Sequence, residues 1–123
     1  MNFIGIIYDV CQRLSATNRL IVAIVMITGE RLTAVLGLLR EHVYTSRVLI
    51  RSLSYPVPSG VCDALRRQSG AVYVFEHARS PTRHRTRQAV YKDIRRVCRE
   101  LGAGGRLTPA ELARIGHIMQ LCR

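Results

Sequence analysis

ARSPTRHRTRQAVYKDIRRVCR, residues 78–99, is the stretch on which the reading of this chain turns. Ser80-Pro81 has the form of a helix N-cap followed by proline at the first helical position, where the missing N–H costs nothing. From there Val90, Ile94, Val97 and Leu101 recur at i, i+4, i+7 and i+11, which draws a single apolar stripe. At about 100° per residue, Arg85, Lys92, Arg95, Arg96 and Arg99 fall on the opposite side of such a helix. Only Asp93 dilutes the charge between Arg79 and Arg99. The spacing predicts an amphipathic helix from about Ser80 to Leu101, stopped by Gly102, Gly104 and Gly105.

A second helix is expected directly after it. Thr108-Pro109-Ala110-Glu111 gives a cap, a proline at N1 and a glutamate at N3, the makings of a capping box. Leu112, Ile115, Met119 and Cys122 then line one face. Residues 80–122 therefore read as an αα-hairpin with one arginine-rich outer surface.

Toward the N-terminus the signals are more mixed. Phe3–Leu14 reads as a short helix with Asn2 as its cap, and Ser15–Asn18 as a break that can cap the next element. Leu20–Ile27 is apolar on all sides, and periodicity leaves buried helix and buried strand both open. Residues 30–42 carry Leu32, Val35, Leu36 and Leu39 at helical spacing, while Val43–Leu53 fits either an extension of that helix or a strand. Pro56–Gly60 punctuates the chain; Ser59 can cap a short helix ending near Gln68, with Gly70 suited to its end. Ala71–Phe75 reads as a lone strand or an extended linker. The fold class expected is mainly α: an apolar helical scaffold over 1–55 and a basic region over 56–123, together one compact unit, with room for a short strand near 71–75.

Charge narrows the function. The chain has 123 residues and a net charge of +11, and 18 of its 19 cations are arginine, Lys92 being the exception. Residues 1–63 hold six Arg and four acids, net +2; residues 64–123 hold twelve Arg, one Lys and four acids, net +9. An apolar half and a polyanion-facing half are the natural interpretation. Arginine grips phosphate through a planar two-bond fork and stacks on bases. With a 48% hydrophobic fraction, only 6% aromatic residues and no Trp, the core must be aliphatic.

Other chemistry is poorly supplied. The longest apolar run has eight residues, against the roughly 20 of a bilayer span, so no transmembrane segment is expected. The opening residues lack a basic n-region and meet Asp9 and Arg13 too early for a secretory signal. Cys11, Cys62, Cys98 and Cys122 lie far apart with no CxxC, which suits reduced thiols. Cys98, His117 and Cys122, with His84 nearby, lack the paired knuckle spacing of a structural zinc site, so no metal or other cofactor is expected. No GxSxG, HExxH, Walker loop or paired carboxylates occur, and no enzyme is expected.

The order of features over residues 56–99 resembles the small cysteine-containing nucleic-acid-binding proteins of filamentous plant RNA viruses, of the carlavirus and vitivirus kind. The matching pieces are Pro56-Val57-Pro58, then Cys62-Asp63-Ala64-Leu65-Arg66-Arg67, then Ala78-Arg79-Ser80 leading Arg83, Arg85 and Arg87, and finally Arg96-Val97-Cys98-Arg99. Glu100 and Leu101 stand where that family continues toward a second cysteine, so the resemblance carries the basic arm and not a zinc finger. It implies non-specific binding of RNA or DNA in the host cytoplasm or nucleus, and suppression of host RNA silencing. The residues expected to meet phosphate are Arg79, Arg83, Arg85, Arg87, Lys92, Arg95, Arg96 and Arg99, with Tyr91, and Tyr73 or Tyr55 beside it, available to stack on unpaired bases. The N-terminal helices would form a scaffold or a homodimer interface, and host proteins are further candidate partners. The alternative is a membrane-surface or host-protein adaptor using the apolar stretch 20–39 together with the arginines.

Overall fold

The computed structural model describes residues 9–100. The expectations for Asn2–Tyr8, for Leu101 and the glycines beyond it, and for the second helix of the C-terminal hairpin lie outside those residues.

The first described element settles the ambiguity at Leu20–Ile27 in favour of a helix, α1 (Ala16–Thr28), because both of its ends are capped. The Ser15 hydroxyl accepts the Asn18 amide at 3.3 Å. At the other end Gly29 adopts φ 71° and donates to the Val25 carbonyl, a left-handed stop that a side chain would disfavour. Residues 9–13 form a helical turn before it, and the Arg19 guanidinium donates to the Cys11 and Gln12 carbonyls at the end of that turn. Ile21, Val22, Ile24 and Val25 are all buried, so α1 is the spine of the core.

The helix expected over 30–42 is shorter. α2 spans Leu32–Leu36 and halts at Gly37, and a 3₁₀ turn follows at Arg40–His42. Residues 38–40 instead run beside 72–74: the Val74 amide donates to the Leu38 carbonyl, and the Arg40 amide to the Val72 carbonyl. Leu32, Val35, Leu36 and Leu38 join α1 in the interior. The apolar stretch that a membrane-surface adaptor would insert is thus largely consumed by the core. No helix among the described residues is long and apolar enough to cross a membrane.

Val43–Leu53 and the residues after it form an antiparallel hairpin of β1 (Arg47–Ile50) and β2 (Leu53–Pro56). Val48 and Ile50 point into the core, the period-two burial of a half-buried strand. Its turn residues Arg51 and Ser52 both have positive φ, 52° and 65°, the geometry two-residue hairpins favour but normally assign to Asn and Gly. Tertiary contact holds it: Arg51 donates to both oxygens of Glu30, at 2.9 and 3.0 Å, and the Tyr55 hydroxyl bonds the same carboxylate. Burial raises the Glu30 pKa, but the bonds from Arg51 and Tyr55 outweigh it and leave it below its ordinary value. Burial, and then the Glu30 carboxylate, push the Tyr55 phenol up to about 12.

α3 (Ser59–Gln68) follows Pro58, which occupies the cap position expected for Ser59, and it buries Cys62 and Leu65. Gly70 allows a close approach: a Cβ there would lie 1.6 Å from the Glu76 carboxylate oxygen. A second hairpin, β3 (Glu76–His77) with β4 (Ser80–His84), then leads into α4 (Arg87–Glu100). The sheets are separate, each with two antiparallel strands.

The fold is therefore mixed α/β, and the expectation of a mainly α protein is corrected at two places. Residues 47–56 are a hairpin, and residues 80–84 are a strand rather than the first turn of the basic helix. The strand signal at 71–75 belongs a few residues later, although Tyr73 does form an isolated bridge with Leu39. One buried cluster takes residues from Val10 through Val57 and from Cys62 through Cys98, so both halves of the chain share a core.

Candidate nucleic-acid interface

The expected basic surface is spread over two elements. Pro81 is exposed in β4 instead of opening a helix, and Arg85 closes the strand, its amide donating to the Phe75 carbonyl at 2.7 Å. Thr86 is the working cap of α4: its hydroxyl accepts the Ala89 amide at 3.2 Å. From there the apolar stripe behaves as its spacing predicts, with Val90, Ile94 and Val97 fully buried and Cys98 beside them.

Helical geometry divides the outward side of α4 into two rows. Gln88, Lys92, Arg95 and Arg99 make the first, all exposed. Lys92, Arg95 and Arg99 climb it in rises of about 4.5 and 6 Å. Asp93, Arg96 and Glu100 make the second, and there charge is matched. Arg96 bonds Asp93 at 2.6 Å and Glu100 at 2.8 Å, and also donates to the Arg13 carbonyl. Among the described residues no acid pairs with Arg79, Arg83, Arg87, Lys92, Arg95 or Arg99. Arg79 sits at the tip of the β3–β4 hairpin and Arg83 on its exposed strand; Arg87 opens α4.

Two of the expected phosphate ligands, Arg85 and Arg96, have structural bonds as well. Arg96 is the ion-pair partner just described. Arg85 is half-buried, and its Nε donates to Asn18 Oδ1 at 2.9 Å. Asn18 in turn donates through Nδ2 to Asp93 at 2.8 Å, and the same carboxylate oxygen accepts the Ser15 amide at 3.0 Å. Asp93 thus places a negative charge at the positive end of α1 while fixing α4 across it. Burial raises its pKa, but the bonds from Asn18, Ser15 and Arg96 prevail and hold it below the ordinary value. The sequence shows Asp93 only as a diluent of charge. Its i, i+3 spacing to Arg96 was a visible signal, but Asn18, 75 residues away, was not.

Between the start of α1 and α4 lies a cleft of about 380 Å³, lined among others by Asn18, Arg85, Lys92, Asp93, Arg96 and Arg99. The tyrosines expected to stack on bases each make a contact within the fold and stay partly exposed. Tyr91 packs against the core, Tyr55 is bonded to Glu30, and Tyr73 meets the His84 ring edge-on at 5.5 Å. Tyr44 is the more exposed ring, with the Arg47 guanidinium 4.6 Å above it. Among the described residues no three His, Cys, Asp or Glu side chains are grouped to hold a metal ion; His117 and Cys122 lie outside them.

No protein-family model matches the chain, and comparison with curated proteins and with solved structures finds no match.

Proposed function

We propose that this protein binds nucleic acid, RNA foremost, largely without regard to sequence, as an accessory protein of the viral kind its motifs resemble. It sequesters the strand from host machinery, which would suppress RNA silencing. The observation that carries this reading is the set of exposed cations that lack acid partners among the described residues: Arg79 and Arg83 on the hairpin, and Arg87, Lys92, Arg95 and Arg99 on α4. A surface built for solubility interleaves both signs. Here the acids of α4 are confined to one row and the other is left cationic. Few side chains in that row suit base readout, so contacts to phosphate dominate.

The test is a salt titration of binding to single- and double-stranded RNA and DNA. Replacing Arg83, Arg87 and Arg95 with alanine is expected to weaken binding to all sequences alike. The slope of log K against log salt should fall by about 0.7–0.9 per lost contact. Wild-type protein that retains no RNA or DNA at moderate salt, or an unchanged slope in the variant, refutes the proposal.

A further inference from the structure

We infer that the cleft between α1 and α4 is a seat for a phosphomonoester, and, resting on the nucleic-acid reading above, that it takes the phosphorylated end of a strand. Among the described residues four cations line it, Arg85, Lys92, Arg96 and Arg99, against one carboxylate, Asp93. That carboxylate is already spent. One oxygen receives the Ser15 amide and Asn18, and the other receives Arg96. Asn18 is 1% exposed, with its oxygen given to Arg85 and its nitrogen to Asp93, so the floor of the cleft is fixed and its polar groups satisfied.

What remains unsatisfied is cationic. Among the described residues Lys92 and Arg99 have no acid partner for their charged groups, and Arg85 is held by Nε alone, leaving its two terminal nitrogens as donors. Donors of this kind, with Arg85 already oriented by Asn18, favour a compact ligand with several acceptor oxygens. The cleft is open to solvent on one side, and its volume of about 380 Å³ has room for a phosphate group. Among the described residues no aromatic ring lines it, so a base finds no aromatic face there. A terminal phosphate, with more charge and one more free oxygen than an internal diester, answers this arrangement best.

The seat is tested first without any strand. Inorganic phosphate and a nucleoside monophosphate are titrated into the full-length protein while backbone amide NMR signals are followed. Saturable shifts are expected at Ser15, Ala89 and Lys92, and they should vanish in the Lys92→Gln, Arg99→Gln double variant. Both side chains are exposed, so the fold is retained, and the undisturbed signals elsewhere in the spectrum report that directly. No saturable shift at those positions, or shifts that persist in the variant, overturn the seat.

Oligonucleotides of one sequence bearing a 5′-phosphate, a 3′-phosphate or only hydroxyl ends then identify the source of the phosphate. One phosphorylated end is expected to bind about tenfold tighter, the worth of one charge-assisted hydrogen bond. The double variant should lose that advantage, while Arg83→Ala weakens all three oligonucleotides equally. Equal affinity for all three in the wild type overturns the strand-end assignment. If none of the three binds while free phosphate still shifts the cleft signals, the nucleic-acid reading fails and the phosphate seat stands.

Discussion

The two hairpins use charge in opposite ways. In the β1–β2 hairpin four residue pairs stay in register, Val48 and Ile50 are buried, and the turn arginine is locked onto a buried glutamate. In the β3–β4 hairpin the register shifts at Glu76 and His77, four of the five β4 residues are exposed, and its arginines have no acid partner among the described residues. One arginine therefore serves the fold, and the others face outward with their donors unspent. An ion pair with one end buried fixes a backbone shape that its residues would not choose alone, whereas an unpaired surface cation adds little to stability and is available for a ligand.

The contrast breaks most sharply at the buried strand. Ile50→Ala should cost about 2–5 kcal/mol, read from denaturant unfolding, whereas Arg83→Ala should stay within about 0.5 kcal/mol while weakening polyanion binding. Comparable losses from the two substitutions would mean that β3–β4 carries the fold as well.

Glu30→Gln is the next largest test and should cost about 1–2 kcal/mol near neutral pH. Because the Glu30 pKa is lowered in the folded state, the unfolded chain takes up the proton first. The stability this group gives is present above its unfolded pKa and drains away as pH falls through the folded value. Thermal unfolding followed from neutral into acid pH should thus drop more steeply for the wild type than for Glu30→Gln, with Asp93 supplying a residual slope in both. Identical profiles would remove Glu30 from the account.

The smallest effect is a gain. Ser52→Gly relieves a left-handed residue and should add about 1 kcal/mol, visible as a raised unfolding midpoint. A loss there would show that the Ser52 side chain has a role its backbone angle does not reveal.

The same two hairpins explain where sequence reasoning succeeded and stopped. Val90, Ile94 and Val97 were legible because one helix face meets one core, and Ser15 because a cap acts within a few residues of itself. The β1–β2 turn was not legible: Arg51-Ser52 is no ordinary hairpin dipeptide, and the glutamate that supports it lies 21 residues upstream. Ser80-Pro81 misled for a related reason. A proline that opens a helix is equally at home on an exposed strand without a ladder donor, and the cap that acts is Thr86, six residues further on. The excess of cations was readable from composition. The division of α4 into a matched and an unmatched row was readable only in part, because Asp93 and Arg96 are also engaged by Asn18 and Arg13, more than 70 residues upstream.

The Asn18–Asp93 bond spans 75 residues, and this has a consequence for how the protein comes into being. Closing so long a loop costs roughly 4 kcal/mol in chain entropy, and contacts so distant in sequence belong to the late, slow part of folding. α1 is synthesised well before α4 and waits for a partner that follows some 75 residues later. Until that partner arrives, Lys92 and Arg99 have neither fixed spacing nor a shared cleft. A nascent fragment ending before α4 thus holds Ser15, Asn18 and Arg85 of the cleft and the hairpin cations Arg79 and Arg83, but not the wall that carries Lys92 and Arg99.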